Sequence, residues 1–276
     1  MKKVGIVFNP TIEAAVTLTG ELGKYLSGEG VSNWECSSWE IGEDLSEMEG
    51  TDLVLSVGGD GTILRAIQAV AASQTPVTGI NLGKLGFMTE LAADEALARL
   101  PEILNGAGWI DERTMLEVQV TGDGGEERHY YALNDLVVAR GAIARMVSVD
   151  VNIDNEPFTA YRADGVLVAT ATGSTGYSLA AGGPVLNPQA SEFLLLPILP
   201  HLCLSYPLVL PASTVVSLRV STAYQATLSI DGNINFPLSS DTLITVKRSQ
   251  TSARFWRIHS ETSFYRTLGK KLKAKK

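Results

Sequence analysis

The sequence predicts two domains, an α/β N-terminal domain with a Rossmann-like parallel sheet and a β-rich, sandwich-like C-terminal domain. The chain has 276 residues, which is long for one hydrophobic core and suits two. Before residue 109, short apolar runs alternate with segments of helical periodicity, as in parallel sheets covered by helices. From residue 115 onward, short alternating strands follow one another with turn signals between them, which indicates a β-rich fold.

The elements of the first domain follow from periodicity and from breaking residues. Asn9 and Pro10 end the first strand, and Gly28 and Gly30 close the helix that follows it. Pro101 is a possible break in the last helix. The predicted strands cover residues 4–8, 34–39, 53–57 and 76–80, and the predicted helices cover residues 11–26, 63–70 and 94–104.

The second domain is predicted from period-two alternation between turns. Its strands are expected over residues 116–120, 128–133, 147–153, 158–162, 166–170, 214–220, 227–230 and 243–246. A short helix over residues 260–271 could cap either domain. We therefore place the α/β domain at residues 1–108, the β-rich domain at residues 109–250 and a C-terminal segment at residues 251–276.

Composition and charge argue against several classes of protein. The net charge of −8 disfavours a nucleic-acid binder, which shows a basic domain or stripe. Cys36 and Cys203 lie far apart, so they form neither a disulfide framework nor a metal-ligand pattern. No run of about 18 apolar residues offers a membrane span, and the first apolar run, which ends at Phe8, is too short for a signal peptide. We expect a cytoplasmic protein that binds neither nucleic acid nor membranes.

A glycine-rich turn at residues 58–62 is the most informative feature of the sequence. It joins a predicted strand to a predicted helix, an arrangement that aims backbone N–H groups and a helix dipole at an anion, usually phosphate. Asp60 is unexpected there, because like charges about 4 Å apart repel by roughly 1 to 4 kcal/mol. Such a carboxylate should either hold a phosphate-bound Mg²⁺ or accept a proton from an attacking hydroxyl. An ordinary Asp-Gly turn is the alternative.

A second unusual stretch is the hydroxyl-rich loop at residues 172–177. Its hydroxyls and backbone groups can bond the edges of a purine, and Tyr177 can lie against a ring. Asn134 and Asp135 follow a predicted strand, from where they can bond ribose hydroxyls. Ordinary turns explain both features equally well at this point.

Three familiar motifs are missing. No Gly-x-x-x-x-Gly-Lys-Ser/Thr occurs, which excludes a P-loop enzyme, and no Gly-x-Gly-x-x-Gly follows the first strand. Residues 173–176 do not fit the Gly-x-Ser-x-Gly elbow of hydrolases. The three histidines lack zinc spacing, and we expect them to be structural.

The order of the remaining motifs closely resembles that of the bacterial and archaeal NAD kinases, over residues 3–265. The matching motifs lie at residues 58–62, 79–83, 85–87, 132–135, 164–165, 172–175, 182–184 and 231–232. The first motif is shared with diacylglycerol kinases, sphingosine kinases and phosphofructokinases. The loop at residues 172–177, with its glycine-proline extension, is far more specific.

The resemblance implies a reaction, a fold and a divalent cation. The enzyme would transfer the γ-phosphoryl group of ATP to the 2′-hydroxyl of the adenosine ribose of NAD, giving NADP. The active site would lie between an α/β and a β-rich domain, and the C-terminus would return to the first domain. Mg²⁺ or another divalent cation would neutralise phosphate charge, helped by Lys84 or Arg65. The resemblance also implies a homo-oligomer, either a dimer or a tetramer.

The site residues are carried over position by position, and Asp60 matches the catalytic carboxylate. The residues expected at the triphosphate are Gly58, Gly59, Gly61 and Thr62. The residues expected at NAD are Asp60, Gly61, Phe87, Asn134, Asp135, Arg162, Asp164, Thr172, Thr175, Gly176 and Tyr177. The implied roles are Phe87 in the NAD pocket, Asn134 and Asp135 at the ribose and phosphates, Arg162 at anionic groups, Asp164 at the nicotinamide end and residues 172–177 at the adenines.

Three positions depart from the family pattern. The family usually has Glu where this chain has Asp135, which shortens the reach of the carboxylate by one methylene. It commonly has Pro in place of Ala171 and Ala in place of Gly176, so the loop would be more mobile here. Two alternatives stay open: a lipid or sugar kinase that shares the glycine-aspartate motif, and a dinucleotide-binding regulator without catalysis.

Overall fold

The structure is a computed structural model that describes residues 1–41, 48–83, 86–141, 145–202, 205–221, 225–260 and 264–273. It contains two compact units. Unit 1 comprises Met1–Glu112 and Ala253–Lys276, and unit 2 comprises Arg113–Ser252. Lys84 and Cys203, both singled out from the sequence, lie outside the described residues.

The helices and strands are named here in chain order. They are β1 (Lys3–Phe8), α1 (Glu13–Gly28), β2 (Ser32–Ser37), β3 (Leu53–Val57), α2 (Asp60–Val70), β4 (Val77–Asn81), β5 (Leu91–Ala92), α3 (Ala93–Leu104), β6 (Trp109–Thr121), β7 (Glu127–Ala132), β8 (Asp135–Arg140), β9 (Val147–Ile153), β10 (Glu156–Ala163), β11 (Gly165–Ala169), α4 (Tyr177–Ala180), β12 (Phe193–Ile198), β13 (Leu208–Leu210), β14 (Val215–Val220), β15 (Ala226–Ile230), β16 (Ile234–Leu238), β17 (Leu243–Arg257) and α5 (Phe264–Lys273). Among the described residues, no helix is long and apolar enough to cross a membrane.

Unit 1 has the predicted α/β architecture. Strand β1 lies between β2 and β3, and β3, β4 and β5 continue the sheet, with every one of these pairs parallel. Val77 of β4 also pairs in parallel with Phe255 of β17. Strand β3 is buried along its whole length, as expected of a central strand in a covered parallel sheet. The glycine turn therefore begins at the carboxyl end of a central strand, where open α/β sheets bind ligands.

The helices of unit 1 pack their apolar stripes into one core. Leu22 and Leu26 of α1 lie in the same buried cluster as Leu100 and Ile103 of α3. Helix α3 continues through Pro101, so the possible break is not realised. Because Pro101 lies in the last turn of α3, its missing N–H removes only one hydrogen bond of the helix.

Unit 2 is β-rich and contains a sheet in which every neighbouring pair is antiparallel. The strand order in this sheet is β13-β12-β11-β8-β15-β16. Outside it, β9 pairs with β10 and β14, β14 pairs with residues 243–247 of β17, and β6 pairs with β7, again all antiparallel. The β-rich class predicted from alternation is confirmed.

Both faces of β11 are buried, and this places the hydroxyl-rich loop. Val166 and Val168 face the main core of unit 2. Leu167 and Ala169 point to the other face, where Leu186 packs on them. The segment that follows β11 therefore folds back over the sheet, and the loop at residues 172–177 begins at the carboxyl end of a fully buried strand.

Four strands of unit 2 were not predicted: β8, β12, β13 and β16. Strands β8 and β12 carry continuous apolar runs instead of alternation, because both of their faces are covered. Helix α4 begins at Tyr177, at the end of the hydroxyl-rich loop, and has only four residues.

Candidate active site

The glycine turn of unit 1 presents the first turn of α2 to open space. The Gly58 N–H donates to the Ile80 carbonyl at 2.9 Å, and the Thr62 N–H donates to the Gly59 carbonyl at 3.0 Å. A Cβ at Gly58 would overlap the Thr62 hydroxyl, whereas a Cβ at Gly59 or Gly61 would meet no atom within 4 Å. Gly58 is therefore required by internal packing. Gly59 and Gly61 leave room beside N–H groups that favour an anion.

The Asp60 carboxylate is held in one orientation by the segment that follows β4. Its Oδ2 accepts the Phe87 N–H at 3.1 Å and its Oδ1 accepts the Met88 N–H at 3.3 Å. A Cβ at Gly86 would overlap this carboxylate, so glycine is needed there for close approach. Unit 1 thus brings together Asp60, the glycine turn and Phe87, which we call the Asp60 group. Arg65, the other suggested phosphate neutraliser, lies half-buried further along α2.

The donors of the Asp60 group fit a cation held mainly through a nucleotide. Among the described residues, no cluster of three or more His, Cys, Asp or Glu side chains could bind a metal ion. Mg²⁺ is usually held by one or two carboxylates together with substrate phosphates and water. Asp60 can supply one such carboxylate, next to the space that a triphosphate would fill.

In unit 2 the backbone at residues 133–135 is hydrogen-bonded to Asp231. The Asp231 carboxylate accepts the N–H groups of Leu133, Asn134 and Asp135 at 2.8, 2.7 and 3.0 Å. The Asp231 N–H donates to the Asp135 carbonyl at 2.8 Å. Asp231 has a φ of 50°, a conformation that Asp adopts more readily than most residues. The motif at residues 231–232 identified this Asp-Gly pair, but not the hydrogen bonds of Asp231 to residues 133–135. The available signal was the position of Asp231 directly after a predicted strand.

The hydroxyl-rich loop packs against the same backbone. Thr170 donates its hydroxyl to the Leu133 carbonyl and accepts the Gly173 N–H at 3.0 Å. A Cβ at Gly173 would overlap the backbone of Asn134. From the Gly176 Cβ position, the Asp135 Oδ2 lies at 3.9 Å and the Asn134 Nδ2 at 4.0 Å. The predicted residues Asn134, Asp135, Thr172, Thr175 and Gly176 are thus neighbours, and we call them the Asp135 group.

Two hydroxyls of the loop differ in their contacts. Ser174 donates to the Ala171 carbonyl at 2.6 Å and accepts the Leu186 N–H at 3.0 Å, which ties the loop to its extension. The Thr172 Oγ1 is buried and has no hydrogen-bond partner within the described part of the chain. Thr175 bonds the Thr172 carbonyl at 3.2 Å, and the Tyr177 side chain is exposed. The unpartnered Thr172 hydroxyl is the loop's available polar group.

Asp135 is a buried carboxylate beside a second carboxylate. Burial raises its pKa from 3.8 to about 7, and the negative charge of Asp231 adds to the shift. Asp135 is therefore protonated in a large fraction of molecules near neutral pH. In that form its carboxyl group can donate a hydrogen bond as well as accept one.

Asp164 and Arg162 lie away from the Asp135 group. In the pairing of β11 with β8, Ala169 lies opposite Asp135, while Gly165 lies opposite Ala139. Asp164 directly precedes Gly165, the far end of β11, so it lies about 17 Å from the level of Asp135 at the usual strand rise. There it pairs with Arg140, with the Nε to Oδ1 distance at 3.1 Å. The Arg162 side chain is exposed on β10.

Comparisons with known proteins agree along the whole chain. Residues 29–107 match the family model of the ATP-NAD kinase N-terminal domain, and residues 133–258 match that of the ATP-NAD kinase C-terminal domain. A NAD kinase of Dehalococcoides mccartyi is 46% identical over 273 residues, covering 99% of this chain and 96% of that protein. A NAD kinase of Chloroflexus aggregans is 37% identical and covers 99% of both chains.

Solved structures give the same result for the fold. Yeast NADH kinase complexed with NADH superposes with a TM-score of 0.88 at 24% identity, covering 99% of this chain and 88% of that one. An NAD kinase from Archaeoglobus fulgidus in complex with ATP has a TM-score of 0.77 at 26% identity, covering 98% of each chain. These matches do not favour the lipid-kinase, sugar-kinase or regulator alternatives, and the chain belongs to the NAD kinase family.

Proposed function

We propose that this chain transfers the γ-phosphoryl group of ATP to the 2′-hydroxyl of the adenosine ribose of NAD, with Asp60 as the catalytic carboxylate. The observation that carries the assignment is the Asp60 group itself. A carboxylate held by two backbone N–H groups lies at the start of a helix, beside glycine positions that leave open space. Family membership identifies the phosphoryl donor and acceptor.

The glycine turn is the proposed phosphate site. Phosphoryl transfer passes through a loose transition state, so the protein mainly positions the reactants and offsets charge. Backbone N–H groups at Gly59 and Gly61, together with Thr62, would hold the triphosphate at the positive end of the α2 dipole. A divalent cation that accompanies the triphosphate would supply neutralisation of the phosphate charge, and Asp60 is the carboxylate that could help to hold it.

Asp60 is the proposed general base. Each of its oxygens accepts one N–H and keeps a further lone pair. The carboxylate can therefore accept the ribose hydroxyl while its orientation stays set by Phe87 and Met88. It would orient the hydroxyl and take its proton late, a role that typically contributes about 10²- to 10⁴-fold in rate.

The Asp135 group is the proposed site for the adenosine half of NAD. Asn134 and Asp135 would bond the ribose, and Thr172, Thr175, Gly176 and Tyr177 would surround the adenine. Asp164 is proposed to contact the nicotinamide end, and Arg162 is proposed to contact anionic groups of the dinucleotide. The position of Asp164 just before β11, about 17 Å from the level of Asp135, supports a separate role on an extended dinucleotide.

Two further proposals concern the setting of the enzyme. Leu199, Leu202 and Tyr206 are apolar or aromatic and expose 74%, 96% and 74% of their surface. The three residues lie close together in sequence, and exposed apolar patches mark interaction surfaces, which supports our proposal of a homo-oligomer. We place the enzyme in the cytoplasm, where ATP and NAD are both at hand.

A coupled assay with Asp60→Asn tests the function. NADP formed from NAD, ATP and Mg²⁺ is read through an NADP-specific dehydrogenase. We expect the variant to lose about 10²- to 10⁴-fold in kcat and to keep thermal stabilisation by NAD and by ATP. Asp94→Asn, an exposed carboxylate in the first turn of α3, is the matched control and should keep full turnover. Near-full turnover of Asp60→Asn would reject the base role.

A further inference from the structure

A buried ion cluster lies at the far side of the segment that holds Asp60. Arg257 of β17 places its Nε at 3.2 Å from the Asp111 Oδ2 and its Nη1 at 3.3 Å from the Glu90 Oε2. The side chains of Arg257, Glu90 and Asp111 are only 8%, 9% and 2% exposed. The guanidinium also lies 4.7 Å from the ring centroid of Phe255. Burying three charges is costly unless ion pairs and hydrogen bonds of good geometry compensate for the lost hydration. We therefore expect the cluster to have a specific role.

The second carboxylate oxygen of Glu90 also has hydrogen-bond partners. Its Oε1 accepts the backbone N–H groups of Ile258 and His259 at 2.9 and 2.7 Å. The His259 ring nitrogen Nδ1 lies at 3.2 Å from the same oxygen. Glu90 closely follows Phe87 and Met88, whose N–H groups donate to Asp60. It therefore links the end of β17 to the segment that holds the Asp60 carboxylate.

Arg257 is connected to Asp60 through one residue of the backbone. The Arg257 Nη1 donates to the Met88 carbonyl at 2.8 Å, and the Met88 N–H donates to the Asp60 Oδ1 at 3.3 Å. The two peptide groups on either side of the Met88 Cα are therefore anchored, one by the guanidinium and the other by the carboxylate. We therefore expect a change in the guanidinium position to shift the Met88 N–H that Asp60 accepts.

The segment has further anchors that limit its freedom. Gly86 donates its N–H to the Thr89 hydroxyl at 2.8 Å, and the Glu90 N–H donates to the Gly79 carbonyl at 2.8 Å. A Cβ at Gly79 would lie 3.0 Å from the Thr89 Cα, so β4 and the segment are in close contact. Because the segment is held at residues 86, 89 and 90, we expect a displacement of Met88 to move the Asp60 carboxylate as well.

We propose that Arg257, clamped by Glu90 and Asp111, is a positioning residue that sets the orientation of the Asp60 carboxylate through the backbone of Met88. The proposal rests on the catalytic role proposed above for Asp60. Arginine suits the task because its planar fork contacts both carboxylates and the carbonyl at once. Lysine keeps the charge but bonds from a single point.

The test compares Arg257→Lys with Arg254→Lys on the same strand. Arg254 pairs with Glu112 at 3.6 Å and is more exposed, so its replacement should leave kcat unchanged. We expect Arg257→Lys to lower kcat by roughly 10- to 100-fold per active site, as for other small misplacements of a reacting group. The KM values for ATP and NAD should change less than about twofold, because the substrate contacts stay in place. Active sites are counted by nucleotide binding.

A double-mutant cycle separates positioning from a merely structural role. If Arg257 acts through Asp60, Arg257→Lys should have no further effect on the residual kcat of Asp60→Asn. An equal loss in both backgrounds, or a lower melting temperature with unchanged kcat per active site, would overturn the proposal. These outcomes leave the base role of Asp60 intact, whereas full turnover by Asp60→Asn alone rejects the proposed function.

Glu90→Gln provides a second variant should Arg257→Lys fail to fold. The amide oxygen of glutamine can still accept the N–H groups of Ile258 and His259, while the ion pair with Arg257 is weakened. We expect a smaller loss in kcat of about threefold, which again disappears in the Asp60→Asn background. A loss of the same size in both backgrounds would overturn the proposal.

Discussion

Asp60 and Asp135 are the same side chain at the first residue of an element, yet their surroundings differ. Asp60 begins α2, and both of its oxygens accept backbone N–H groups. Asp135 begins β8, is only 8% exposed and lies beside the charge of Asp231. The comparison teaches that the contacts of a carboxylate, and not its place at the start of an element, decide what it can do with a proton.

Asp135 holds a proton first because it is buried and second because it lies beside the charge of Asp231. The Asp231 carboxylate accepts three backbone N–H groups, and hydrogen bonds of this kind favour a charged carboxylate. Asp135 lies next to that charge and is itself buried, so its pKa is raised to about 7. The pair therefore has one carboxylate that holds a backbone turn and another that can exchange a proton near neutral pH.

The largest effect is expected from removing the charge of Asp135. The pKa of Asp135 is raised from 3.8 to about 7 in the folded protein. Between these two pH values, Asp135 therefore binds a proton in the native state that it has lost in the unfolded state. Stability is then fully present below pH 3.8 and falls as the pH rises to about 7. Asp135→Asn should raise the unfolding free energy by on the order of 2 to 4 kcal/mol at pH 8, and should change it little at low pH.

Urea unfolding at pH 4 and pH 8 measures this difference. Asp150→Asn is the control, because Asp150 is an exposed aspartate of β9 in the same unit. It should shift stability equally at both pH values. If Asp135→Asn behaves in the same way, burial beside Asp231 does not set the proton affinity of Asp135, and the contrast with Asp60 is lost.

The Gly61→Ala variant tests whether the open space next to Asp60 holds a triphosphate. A Cβ at residue 61 meets no protein atom within 4 Å, and alanine is favoured over glycine in a helix by about 1 kcal/mol. Stability should therefore hold or rise. If a triphosphate fills that space, the KM for ATP should increase about tenfold.

Gly20→Ala is the matched control for the glycine turn. Gly20 lies within α1, and a Cβ there also meets no atom within 4 Å. Melting temperatures and initial rates over a range of ATP concentrations compare the two variants. Equal KM values would show that the space beside Gly61 is not used by ATP.

The smallest effect is expected from the unpartnered hydroxyl of Thr172. Thr172→Val keeps the shape of the side chain and removes a buried hydroxyl that has no partner in the described structure. Stability should not fall, since nothing in the protein loses a hydrogen bond. If the hydroxyl bonds the nucleotide, the Kd for NAD should rise by about 3- to 10-fold.

Thr19→Val is the control for this loss. Thr19 of α1 also has a buried hydroxyl without a partner among the residues described. Calorimetric titration with NAD should give the wild-type Kd for this variant. A normal Kd for Thr172→Val as well would mean that its hydroxyl does not bind the dinucleotide.

Much of the fold could be predicted because the local pattern and the tertiary environment agree. Strands β1 to β4 of unit 1 are short runs that appear near the predicted positions, whereas the two-residue strand β5 was not predicted. Strands β8 and β12 could not be recognised by alternation, because neither of their faces is exposed to water. Their burial depends on segments such as the one around Leu186 that cover the sheet from a distance in sequence.

The candidate site shows the same division. Asp60 and the hydroxyl-rich loop were found from unusual residue types in glycine-rich turns. The contacts of Asp231 and Arg257 were not found, because their partners lie 96 to 169 residues away in sequence. No local pattern indicates which backbone groups a distant carboxylate or guanidinium will meet.

The sequence by itself determined the two kinds of domain, the glycine turn between a strand and a helix, and the family to which the chain belongs. These follow from periodicity and from residue types that a short stretch of chain already contains. The tertiary structure decided the rest: that Phe87 and Met88 orient Asp60, that burial and the charge of Asp231 raise the pKa of Asp135, and that Asp164 lies at the other end of β11. The reason is physical, since hydrogen-bond direction and desolvation depend on which distant groups the fold brings into contact.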